Sequence, residues 1–269
     1  MNHLLIDVSY FNFWRFFATS QWYTRAHPDE TIEEGYDWSE NVVFMEKFNK
    51  LYLSTLDKYK KKFKPDKIIL ARDCSRKDIW RMKFFKEYKM NREETYSKNK
   101  FMGGKVFKWA YQNILPNLLE NSLYTQIKLD NLEADDIIYL CCKQIRKNED
   151  NKITIISSDH DLLQIIDKNF NINLYTGNLK SYNNKCKGNK DICNFLKAIL
   201  GDGSDNIPKV FKGVGEKTAI KLYNNNKLLL EKFKQNPLSF ERYVLNRLLV
   251  DFAYIPKHLE ENFPKDIFL

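Results

Sequence analysis

Apolar residues follow two alternating patterns along the chain. Short, mostly apolar runs at His3–Asp7, Lys67–Asp73, Tyr124–Leu129 and Lys152–Ser157 read as buried strands, with Ile172–Tyr175 as an outer one. Between them, Asn41–Phe63, Lys105–Asn121 and Leu132–Ile145 carry helical spacing, and Asp78–Arg92 is a helix-compatible run of bases and aromatics. Ser9–Trp38 is aromatic-rich and irregular, with no assignable chemistry, and Glu93–Gly104 is polar and expected to be mobile. From about Asn183 the pattern turns to short helices, Glu216–Tyr223 and Phe240–Leu249 among them, and Asp251–Leu269 reads as a tail packed on the body. The alternation predicts an α/β fold: a mostly parallel twisted sheet flanked by helices, followed by a helical region.

In such sheets ligands bind beyond the carboxyl ends of the strands. Asp7, Asp73 and Asp159 end three of the predicted strands. Glu133, Asp135 and Asp136 crowd the start of the Leu132–Ile145 helix. One or two acids in a first helical turn are ordinary, but three repel one another unless a positive charge lies among them. With Asp161, Asp202 and Asp205, nine acids are placed to hold two magnesium ions, which activate water and stabilise a phosphate under attack. Each acid alone is more simply a surface residue or cap; the placement of all nine reverses that weighting.

Charge strengthens the case. The 269 residues carry a net charge of +9, and with the nine acids set aside 44 basic residues face 26 acidic ones. A basic body around an acidic pocket suits a metal-dependent enzyme acting on polyanions. The five cysteines show no Cys-x-x-Cys pair, which argues against zinc and disulfides and for reduced thiols. No run is long enough to span a membrane, and Met1–Asp7 enters a strand with no leader-like pattern, so a soluble, cytoplasmic protein with no membrane partner is expected.

Two more stretches suggest nucleic-acid contact. Gly213-Val214-Gly215 leads into Glu216–Tyr223, where Lys217 and Lys221 add charge, and resembles a helix–hairpin–helix grip on a DNA backbone. A plain glycine-capped turn is the alternative. Arg76–Arg92 interleaves Arg76, Arg81, Lys89 and Arg92 with aromatics, and Lys89 and Arg92 would share a helical face. It reads either as an amphipathic helix with a solvated basic side or as a cationic cover, with Tyr88 free to stack on a base.

The ordered set resembles the flap endonuclease/5′-3′ exonuclease family: an acid after the first strand, another before a Tyr-Lys-x-x-Arg segment, then Glu-Ala-Asp-Asp, Ser-Ser-Asp-x-Asp and Gly-Asp-x-x-Asp-Asn with a Gly-x-Gly turn. More narrowly it is similar to the ribonuclease H branch of T-even-type bacteriophages. The resemblance implies a PIN-like 5′-nuclease core at 1–182, with a basic helical arch at about 76–104. It also implies a helical region at 183–269, with a helix–three-turn–helix module at about 201–223. It makes Asp7, Asp73, Glu133, Asp135, Asp136, Asp159, Asp161, Asp202 and Asp205 ligands of two Mg²⁺ ions, with Mn²⁺ as a substitute. Lys89, Arg92 and Asp135 become catalytic, and Arg76, Arg81, Tyr88, Lys89, Arg92, Gly213, Gly215, Lys217 and Lys221 bind nucleic acid. Potassium binds at the equivalent turn in several members, but Lys209–Lys212 is about one residue longer here. The implied activity is removal of RNA primers and 5′ flaps from DNA and RNA–DNA duplexes in replication. The implied partners are a single-strand-binding protein and a sliding clamp, and the place is the host cytoplasm if the gene is a phage's. Two rivals remain: a PIN-like ribonuclease, against which Gly201–Tyr223 speaks, and a non-catalytic branched-DNA binder, against which the full acid set speaks.

Overall fold

The computed structural model describes residues 1–92, 101–166, 171–182, 190–265 and 267. Five strands, β1 (Asn2–Asp7), β2 (Lys67–Arg72), β3 (Tyr124–Lys128), β4 (Lys152–Ile156) and β5 (Ile172–Tyr175), form one sheet in the order β3-β2-β1-β4-β5. Every pairing is parallel. All five lie within a residue of their expected bounds.

Side chains alternate across the sheet, so each strand feeds two cores. Leu5, Ile69, Ile153 and Ile155 join the core beneath α5 (Ala134–Ile145), whereas Leu4, Ile6, Ile68 and Leu70 pack beneath α1 (Val8–Ala26) and α2 (Val42–Phe63). Burial on both faces is why the strands read as continuous apolar runs. A helical stretch crosses from β2 to β3: α3 (Gly103–Trp109), a π-helical turn at Ala110–Ile114, and α4 (Leu115–Leu119).

The remaining helices, α6 (Lys190–Leu200), α7 (Glu216–Tyr223), α8 (Asn226–Gln235), α9 (Pro237–Val250) and α10 (Lys257–Glu261), have a small core of their own around Ile199, Phe211, Ala219 and Leu222. A bridging cluster that includes Cys74, Ile79, Tyr88, Ala198, Ile207 and Leu249 joins it to the first unit. Phe252, Ile255 and Phe263 anchor the expected tail in the core beneath α5.

Three expectations fail. Ser9–Trp38 is not irregular, because most of it is α1. The buried face of α1 runs Val8, Phe11, Asn12, Arg15, Phe16, Thr19 and Tyr23, so polar side chains interrupt the apolar stripe that would have marked a helix. Asp78–Arg92 is not a continuous helix. It contains a 3₁₀ turn at Trp80–Lys83, preceded by another at Arg76–Asp78, then further turns, with Lys89 at φ +58°. Residues 93–100 of the expected arch lie outside the described residues. Among the cysteines, Cys74, Cys141 and Cys142 are free, as expected, and also buried, but the expectation of no disulfide fails at Cys193, which is disulfide-bonded.

Candidate active site

Chain order reverses at β1: β2 and β3 lie to one side, β4 and β5 to the other. A sheet opens a crevice at such a point, beyond its carboxyl edge. Asp7 closes β1, Asp73 follows β2, and Asp159 follows β4, so the parallel register delivers all three to that edge. The fourth contributor is the start of α5, where Glu133 is the N-cap and shares a reciprocal capping box with Asp136. The Ala134 N–H donates to Asp73 Oδ1 at 2.8 Å, which fixes this helix end against β2. Asp7, Asp73, Glu133, Asp135 and Asp159 thereby line one cleft of about 330 Å³, with Lys89 and Arg92 on its wall.

The other acids continue from it as an arc. Ligand oxygens of Asp135, Asp159 and Asp161 lie within 4.8 Å of one another, as do those of Asp161, Asp202 and Asp205, and those of Glu133, Asp135 and Asp136. All nine predicted acids therefore converge.

Their surroundings differ. Asp136 is fully buried, and both its oxygens accept hydrogen bonds from the Arg81 guanidinium, at 2.8 and 2.7 Å, with Trp80 Nε1 adding a third at 3.0 Å. Glu133 accepts from Arg81 at 2.9 Å, Lys89 at 2.5 Å and Tyr88 at 3.0 Å. Burial alone would raise Glu133, but Lys89 and Arg81 outweigh it and hold the carboxyl down at about 2. Burial likewise opposes the Lys89 ammonium, yet Glu133 and Asp205 keep it charged. Asp205 accepts from Arg92 at 2.7 Å. Lys197, on α6, pairs with Asp202 at 2.9 Å and also with Asp161. Lys197 and Ser204 overcome burial to hold Asp202 at about 2.

Asp7 and Asp135 lack such matching. Asp7 accepts from the Tyr10 N–H at 2.9 Å and Ser157 Oγ at 3.0 Å, but burial, then the charges of Asp73 and Asp159, push it up to about 7. Asp135 is driven well above the carboxylate range by burial and by Asp136 and Glu133. Ser9 Oγ donates to Asp73.

Among the predicted nucleic-acid contacts, Arg81 and Tyr88 are placed otherwise. Both are buried at 2% exposure in the acid cluster, because their polar ends bond Glu133, so neither presents a surface for a base or phosphate. Arg76 donates to the Lys89 carbonyl. Gly213, Gly215 and Lys217 are exposed at the turn into α7, and Lys221 is exposed in the last turn of that helix. Gly213 needs its φ of +76°, whereas nothing in the protein would obstruct a Cβ at Gly215. Lys197 was not among the expected residues; nothing in the sequence sets it apart from other helical lysines.

Residues 2–191 match the family described as 5′-3′ exonuclease, N-terminal resolvase-like domain. The 5′-3′ exonuclease of Buchnera aphidicola subsp. Acyrthosiphon pisum is 34% identical over 205 residues, 69% of this chain and 65% of that protein. That of Mycoplasmopsis pulmonis is 36% identical over 196 residues, 68% of this chain and 59% of that protein. The chain thus spans less than two thirds of either relative. Ribonuclease H of Enterobacteria phage T4 is 29% identical over 209 residues, covering 73% and 68% of the two chains. In fold, the chain is similar to a phage T5 flap endonuclease solved as a pseudo-enzyme–product complex with DNA and metal ions. The TM-score is 0.67 and the identity 19%, over 99% of this chain and 98% of that one.

Proposed function

The chain belongs to the 5′-3′ exonuclease family, and from that premise we propose that it is a structure-specific 5′ nuclease, cutting 5′ flaps and RNA primers from duplex ends. The observation that carries this is the meeting of Asp7, Asp73, Glu133, Asp135 and Asp159 in one cleft walled by Lys89 and Arg92. The donor set is all oxygen, which suits a hard cation such as Mg²⁺, with Mn²⁺ as substitute. Burial pushes Asp7, Asp135 and Asp136 upward alike, but only Asp136 has a cation bonded to it, so Asp7 and Asp135 mark where positive charge is short. Those five acids would hold the ions, with Asp161, Asp202 and Asp205 supporting through water. Asp136, bonded to Arg81 and Trp80, acts at one remove by fixing the frame. When bound, the ions supply Lewis acidity for the attacking water and the phosphate.

The protein's own residues do the remainder. Lys89 and Arg92 place two cations beside the carboxylates, where they would seat the scissile phosphate and stabilise its growing charge. Lys89 keeps its position through a left-handed backbone and its bond to Glu133. The turn at Gly213–Gly215 would let duplex backbone approach α7, with Lys217 and Lys221 neutralising phosphates. Residues 1–182 form the cutting unit in this scheme, and 183–269 the duplex grip. Potassium at the turn, docking of a single-strand-binding protein or sliding clamp, and a cytoplasmic setting belong to the same proposal through family resemblance.

A 5′-labelled flap duplex tests it. Short 5′ products should form with magnesium, disappear with EDTA, and disappear in Asp135→Asn while the duplex still binds. Full activity in that variant would refute the site.

A further inference from the structure

A second hollow, about 410 Å³ in volume, opens beside the carboxylate cleft. Phe16, Phe17, Tyr36, Trp38 and Phe101 line it. Phe13, Phe17 and Gln21 recur at four-residue spacing along α1 and so form one stripe on that helix. Phe13 belongs to the carboxylate cleft. Its ring stacks on Phe17, with centroids 6.4 Å apart at 21°, and on Phe101, 5.3 Å apart at 22°. Aromatic rings thus run unbroken from one hollow into the other.

Phe17 is 49% exposed. Around it Gln21 offers an amide donor and acceptor, while Ser20 and Thr24 donate their hydroxyls to the Phe17 and Ser20 carbonyls of α1 and present only acceptor oxygens; Arg25, Glu33 and Glu34 are also on the lining. Flat apolar faces edged by short polar groups match the faces and edges of nucleobases. With Arg25, Glu33 and Glu34 all on the lining, a strand whose bases stacked here would turn its phosphates toward Arg25 and away from Glu33 and Glu34.

We propose that this hollow binds bases of the unpaired 5′ strand as it leaves the cleft, stacking them on Phe17 and reading their edges through Gln21. The inference rests on the nuclease function proposed above and adds a place for the strand beyond the bond that is cut. Continuity with the cleft selects this occupant, because a strand held there has the ring path of Phe13, Phe17 and Phe101 directly beside it. It follows that tailed substrates gain affinity that blunt ones do not.

Two duplexes identical except for a short 5′ tail carrying 2-aminopurine separate the possibilities, with binding measured in EDTA so that nothing is cut. The wild-type chain should quench the tail's fluorescence and bind the tailed duplex more tightly. Phe17→Ala should remove the quench and weaken tailed binding about tenfold, leaving the tail-less duplex unchanged. Gln21→Ala, at an exposed position, should weaken tailed binding by less. An equal loss on both duplexes, or a quench that survives Phe17→Ala, overturns the groove. A wild-type quench that Phe17 controls, in a chain that cuts nothing when magnesium is added, upholds the groove and sinks the nuclease; cleavage without any quench does the reverse.

Discussion

Glu133 and Asp202 contrast with Asp7 and Asp135, although all four belong to one acidic surface. The first two have cations built in, Lys89 with Arg81 and Lys197 respectively, and their carboxyls are held at about 2. The second two are buried like Glu133, and more deeply than Asp202, but poorly matched, with Asp7 raised to about 7 and Asp135 further. The difference shows how a protein assembles nine acids without flying apart. Its own cations neutralise the frame, and the charge deficit is concentrated where exogenous ions would bind.

Removing a built-in cation should do the most damage. Arg81→Ala leaves Asp136 and Glu133 buried without their partner, so about 3–5 kcal/mol of stability should be lost in denaturant unfolding. A loss no greater than that of a surface arginine would break the contrast.

Removing an unmatched acid should do the opposite. Asp7→Asn keeps an oxygen for the α1 cap but deletes a charge repelled by Asp73 and Asp159. The metal-free protein should be unchanged or more stable by about 1 kcal/mol, and the rise in Tm on adding magnesium should shrink. A variant that loses stability without metal and keeps its magnesium response would contradict this.

The smallest effect is one of pH. Asp7 titrates above its unfolded value, so the folded protein binds the extra proton; metal must displace it, and magnesium affinity should climb as pH rises toward about 7, then level. Glu133 and Asp202 titrate below theirs, so their contribution to stability is present above about pH 4 and fades as pH falls through about 2. Calorimetric titration across pH checks the first half. A flat affinity from pH 5 to 8 would place the displaced proton elsewhere.

The strands and their terminal acids were legible because both features are local: an apolar run, then a carboxylate at its end. Parallel register does the rest, which is how Asp7, Asp73 and Asp159 meet. Helix α1 was hidden by burial of Asn12, Arg15 and Thr19, whose polarity contradicts the stripe they occupy. The basic run at Arg76–Arg92 was misjudged because sequence shows how many cations a segment has and not which way each points. Arg81 turns inward, between Trp80 and Met82, where apolar neighbours gave the one available sign. Lys197 had no local sign, since its role depends on two acids brought to it by folding.

The Arg81 guanidinium also donates to the Leu249 carbonyl at 2.7 Å, across 168 residues of chain, and Arg92 reaches Asp205 across 113. Contacts at such separation are reached only after large loops have closed, so they form late and slowly compared with the helices they join. A ribosome-bound chain that has emerged only as far as the start of α9 holds all nine acids but not this brace. Arg81 therefore gains its last partner only when α9 has docked, and the frame that holds Asp136 and Glu133 is closed from the far end of the chain.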